Sequence, residues 1–196
     1  PVLEAVQTFA GITNENEFYS HHYLAEVFKG DIKTRLDAWD ATEAQNPGQD
    51  AHRAPQKRLQ AWAQRWFALR GQVQRGQEAN ERWATFVQLQ TGLLQALGYA
   101  APTRTAPLQE LVPGLPLPMW ELLGQRLAII PAYQPSREED DLLDHELTAL
   151  HYGDQPLPPQ VKGETWADLL SDAVFGADQP PRYVLLLGLD EWLLLD

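Results

Sequence analysis

Apolar residues recur at helical spacing through the first hundred positions and stop doing so after Gly98. Phe18, His22, Ala25 and Phe28 fall three or four apart, and Tyr19 and Tyr23 form a neighbouring row. Asn14 followed by Glu17 has the Asn-x-x-Glu form of a capping box. The pattern predicts a first helix ending at Gly30, then a short second one carried by Ile32, Leu36 and Trp39. "ATEAQNPGQDAHRAP" is punctuated by Asn-Pro-Gly and reads as a loop. Leu59, Trp62, Trp66, Leu69 and Val73 mark one stripe of a long helix from Pro55 to Gly76. Trp83, Phe86, Val87, Gln90, Leu93, Leu94 and Leu97 mark another that Gly98 ends. Gly71 and Gly76 allow a turn between the two. The expectation is an antiparallel hairpin in which Trp62, Trp66 and Leu69 face Trp83, Phe86 and Leu93 in a shared core; the alternative is that "RGQVQRGQEANE" stays helical throughout, giving one long kinked rod.

Beyond Gly98, Pro102, Pro107, Pro113, Pro116 and Pro118 forbid a long helix. "RLAIIPAY" reads as a buried strand, and "TWADLLSDAVFG" as a short amphipathic helix with Thr165 as its N-cap. "RYVLLLGLDEWLLLD" reads as two strands around a tight turn, and its unbroken apolar arms suggest strands covered on both faces. The fold class is therefore α+β: a helical N-terminal half with a long helical hairpin, followed by a mixed α/β region. Residues 1–98 and 99–196 are the two regions, expected to form one compact unit. "EWLLLD" stops inside an apolar pattern, which suggests the front piece of a longer parent whose sheet continues past Asp196.

Composition narrows the chemistry. With 196 residues, 44% hydrophobic and 21% charged, the chain can bury a core and is not of disordered type. It has no cysteine, which excludes disulfides and thiolate metal sites and fits a cytoplasmic location. No apolar run is long enough to cross a membrane, because Asp190 and Glu191 interrupt the longest. A net charge of −12 repels phosphate backbones on average, so DNA binding needs a local basic face. The stretch from Arg53 to Arg82 offers one, and Lys57, Arg58, Arg65, Arg75 and Arg82 are the candidate DNA-backbone contacts. The competing reading is an amphipathic helix pair with a basic outer face.

Catalytic motifs are scarce. His21 and His22 are adjacent, so on a helix they point about 100° apart. His22 and Glu26 sit one turn apart and could hold a metal, but a histidine among aromatics is more often a packed, hydrogen-bonded group. No catalytic or metal-binding residue is assigned. A magnesium-dependent nuclease needs an acidic residue and a Glu-x-Lys strand, and "QVKGE" has the lysine on the wrong side. A magnesium-dependent nuclease stays an alternative reading, with the missing ligands supplied by positions such as Glu164, Asp190 and Glu191. There is no Gly-rich cofactor loop after a strand, no Asn-Pro-Pro-aromatic tetrad and no P-loop.

"ITNENEFYSHHYLAEVFKGDIKTRLDAW" resembles the opening of very large bacterial SAM-dependent DNA methyltransferases. These are the type IIG restriction–modification group, including the class 1 methyltransferase of DISARM-type phage-defence systems. "LLQALGY" before a strand region and "PPRYVLLLGLDEWLLLD" are similar at the level of pattern. The resemblance implies a front module, with a nuclease-like and here degenerate α/β part, that positions DNA or a downstream methyltransferase domain. It implies a parent that methylates adenine in DNA with SAM, alongside other defence-system proteins. No cofactor is expected in the fragment itself. The alternative is a protein-interaction helical module without a nucleic-acid role, which the charge of −12 favours.

Overall fold

Among the described residues, the long helices lie between Tyr23 and Leu97 and all the strands lie after Gly98, as the change in apolar spacing predicts. A computed structural model describes residues 19–102, 105–136 and 141–196, so the predicted capping box at Asn14 and Glu17 lies outside the described residues. The chain divides into two compact units, residues 1–58 and 59–196.

In the first unit, a π-helical segment, Tyr23–Val27, runs directly into helix α1, Phe28–Gln45. Gly30 does not stop the helix, contrary to the expectation from sequence. A terminating glycine must turn left-handed, and Gly30 is not among the glycines with positive φ. Its cost inside a helix, about 1 kcal/mol, is small against the helical spans on both sides. The predicted tyrosine row does form, with Tyr19 and Tyr23 stacked at 5.6 Å between centroids. Tyr23 also meets Phe28 at 5.9 Å, five residues on, the spacing that a π turn brings into line. Past the loop, the Glu43 carboxylate accepts from the Ala54 backbone N–H at 3.2 Å and from Lys57 Nζ at 2.9 Å.

In the second unit, helices α2 (Pro55–Arg75, of which the first four residues belong to the first unit) and α3 (Ala79–Leu97) form the expected antiparallel hairpin. The Trp62 indole lies on Gly92, whereas Val73, eleven residues later, shares a core cluster with Trp83 and Phe86. Gly98 closes α3 at φ 92°, and the Tyr99 N–H returns to the Leu94 carbonyl at 2.9 Å.

The Pro-rich stretch after Gly98 holds a hairpin, β1 (Leu108–Val112) with β2 (Leu115–Pro118), turned by Gly114 at φ 77°. A second sheet has the order β3 (Glu121–Leu122), β4 (Leu127–Pro131), β5 (Tyr183–Leu187), β6 (Trp192–Leu195). The β4–β5 pair is parallel and the others antiparallel. Among the described residues, the crossover between β4 and β5 carries two short α-helices, α4 (Ala149–Tyr152) and α5 (Trp166–Leu169), the latter capped by Thr165 as predicted and continued by a π-helical segment, Leu170–Val174.

Both faces of β4 and β5 are covered. Ala128, Ile130, Val184 and Leu186 enter one cluster with Leu117, Met119, Tyr152 and Trp166. Ile129 and Leu187 enter the other with Trp83, Phe86, Trp120 and Tyr133. This explains the unbroken apolar sequence of the strands, since each side of the pleat packs on a core. The sheet is the middle layer, with the α2–α3 hairpin on one face and β1–β2 and the crossover on the other.

Candidate functional site

The second unit carries an open apolar groove of about 480 Å³. Helix α2 supplies Leu59, Trp62, Ala63, Trp66 and Phe67, α3 supplies Leu93 and Leu97, and the β5–β6 turn supplies Leu189, Asp190, Glu191 and Trp192. Helical spacing places Leu59, Trp62 and Trp66 on one stripe, and Phe67 lies a further 100° round, beyond the edge of the core. Phe67 is 66% exposed and meets Trp66 edge-on at 4.9 Å. Trp62 is half buried, and one face of its ring rests on Gly92, where a β-carbon would collide with it.

The groove's third wall is fixed from below. The Gln90 side-chain amide, fully buried on α3, donates to the Gly188 carbonyl at 3.0 Å, and the Gly188 N–H donates to the Glu191 carbonyl at 2.9 Å. Asp190 is ion-paired with Arg70 of α2. The Glu191 side chain is exposed and makes no hydrogen bond or ion pair with the described residues. On the α2 rim, the Arg65 guanidinium lies 5.3 Å from the centre of the Trp62 ring and that of Arg70 6.0 Å from the centre of Trp66.

A buried polar cluster stands at the other end of the hairpin. His151 is fully buried, and its Nδ1 accepts from the Thr148 N–H at 3.0 Å. That fixes the tautomer, so Nε2–H donates to the Tyr133 carbonyl at 3.1 Å. His151 occupies the third helical position of a capping box at the start of α4, where a glutamate commonly stands. Burial pushes its pKa down to about 4, against the raising effect of its backbone bonds. His145 donates from Nδ1 to the Ala132 carbonyl at 3.3 Å. Both rings serve the fold.

The five candidate DNA contacts are placed in different settings. Lys57 is ion-paired with Asp40 at 3.0 Å and Glu43 at 2.9 Å in the first unit, and its pKa is raised by the bond to Glu43 first and that to Asp40 next. Arg58 is half buried. Arg65 and Arg75 are exposed on α2, Arg65 over Trp62 and Arg75 folded back beside Gly71 of its own helix. Arg82 is half buried on α3 and its charge acts on Tyr133, where burial nonetheless holds the phenol pKa up. His22 and Glu26 are both exposed on the π-helical segment and its flank. Among the described residues, no three His, Asp or Glu side chains gather closely enough to share a metal, and Asp190 is engaged by Arg70 instead.

Sequence patterning did not reveal the groove. Its signal was an apolar stripe wider than one buried face needs, with Ala63 and Phe67 beside Trp62 and Trp66. Compared with protein-family models, with curated proteins and with solved structures, the chain has no match. Among the described residues, no helix is long and apolar enough to cross a membrane.

Proposed function

We propose that the second unit is a protein-docking module whose groove receives the apolar face of a helix from a partner protein. The observation that carries this reading is the open groove itself, with Trp62, Trp66, Phe67 and Trp192 around it and Phe67 66% exposed. Contiguous exposed aromatic surface is what interaction sites present. Two of the walls are helices, whose backbone groups are already paired, so the groove offers side-chain contact and no strand ladder. That selects an amphipathic helix, seated by large apolar side chains one and two turns apart. A titration with short amphipathic helical peptides, followed by tryptophan fluorescence, tests it. Phe67→Gln is expected to weaken binding about tenfold or more without lowering the melting temperature. Equal binding by parent and variant contradicts the reading.

A second reading is supported by the exposure of Arg65 and Arg75 on α2. On this reading the chain is the cytoplasmic front module of a SAM-dependent DNA adenine methyltransferase of a phage-defence system, and α2 tracks DNA backbone beside a downstream methyltransferase domain. A salt titration of duplex binding tests it: two phosphate contacts give a log–log slope near −2, by about 0.9 per contact. Absence of duplex binding at low salt removes it.

A further inference from the structure

We infer that the helix seated in this groove is basic on the flank facing the β5–β6 turn, and that Glu191 is the residue that selects it. The inference rests on the docking reading above and names the partner's chemistry. Two carboxylates line the turn side of the groove. Asp190 is neutralised by Arg70, whereas Glu191 has no partner among the described residues and stands beside Trp192. Covering the groove strips water from the Glu191 carboxylate. An apolar or acidic neighbour would then leave a charge desolvated and unpaired, while a lysine or arginine would pair it. The opposite rim carries the other sign, with Arg65 over Trp62. The two rims therefore favour one orientation of a helix: basic flank toward the turn, neutral or acidic flank toward α2. At longer range the net charge of −12 steers basic partners toward the chain and slows acidic ones.

The test uses the full chain and three amphipathic peptides with the same leucine face, whose flanking positions are all lysine, all glutamine or all glutamate. The lysine peptide is expected to bind about three- to tenfold tighter than the glutamine peptide, and the glutamate peptide weakest. Glu191→Gln, at an exposed position and with an unchanged melt, is expected to remove the advantage of lysine over glutamine and to leave the glutamine peptide's affinity as it was. If lysine and glutamine peptides bind the parent equally, the selection by Glu191 is wrong while docking stands. If the lysine advantage survives Glu191→Gln, general charge attraction is responsible and the inference is overturned. If no peptide binds, the docking reading falls and this inference with it. Sedimentation of the concentrated chain completes the set: self-association abolished by Phe67→Gln would make a second copy the occupant and overturn the choice of a partner protein.

Discussion

Gly92 illustrates how a single missing side chain shapes the site. In a helix interior, glycine is normally a weak choice, and replacing it with alanine gains up to about 1 kcal/mol. Here the Trp62 indole occupies the place of the absent β-carbon. Gly92→Ala is therefore expected to destabilise by about 1–2 kcal/mol through overpacking. In a Trp62→Leu background the same substitution should become neutral or stabilising. Urea unfolding of the four proteins reads the coupling, and a stabilising Gly92→Ala in the parent would show that the indole is not seated there. His151 makes the second residue-scale prediction. Its folded pKa of about 4 lies below the ordinary value of 6.5, so between those values the unfolded chain binds the extra proton. Stability is then full above pH 6.5 and falls as the pH drops toward 4. From pH 7 to pH 5 the parent should lose about 2 kcal/mol more than His151→Gln, measured by urea unfolding at both values. Equal losses would place His151 in water. Neither role was legible in the sequence: a glycine in a helical pattern reads as a weakness, and His151 carries no local sign that Tyr133, eighteen positions back, will receive its proton.

At the scale of elements, the three tryptophans of the hairpin part company: Trp83 is buried, whereas Trp62 and Trp66 are half buried. The helical stripes correctly gave α2, α3 and their turn, because period and glycine placement are local properties. They also put all six facing residues in one core, and there packing differs: Leu69, Trp83 and Phe86 are buried, whereas Trp62, Trp66 and Leu93 are half buried around the groove. The stripe of α2 is wider than α3 and the sheet can cover, which spacing alone does not reveal. Trp83→Ala should accordingly cost about 3–5 kcal/mol and Trp66→Ala only about 1–2 kcal/mol in thermal or urea unfolding. A reversed order would contradict the assignment of faces. Strands β4 and β5 were legible as apolar runs covered on both sides, and Thr165 as a cap; β6 was legible as a strand, but its apolar run did not mean coverage on both faces, since it lies at the sheet edge with Leu194 66% exposed. The β1–β2 hairpin was not, since Pro113, Pro116 and Pro118 hide a strand whose other pairing partner is only five residues long.

At the scale of the whole chain, charge and surface point the same way. A net charge of −12 opposes DNA, and the basic residues between Lys57 and Arg82 are divided among ion pairs, half-buried positions and exposed ones. The second unit instead offers aromatic surface with a carboxylate at its edge. The wide apolar stripe of α2 marked one wall of the groove in the sequence, but not the groove itself, because its walls come from α2, α3 and the β5–β6 turn, about 130 positions apart at the extremes. The central claim, that this groove is where a helix docks, is tested most directly by the indole N–H signals in two-dimensional NMR during a titration with the lysine-flanked peptide. The signals of Trp62, Trp66 and Trp192 should move in a saturable way while those of Trp83 and Trp166, buried in the two cores, stay in place. Unmoved groove indoles, or shifts shared equally by all of them, would contradict it.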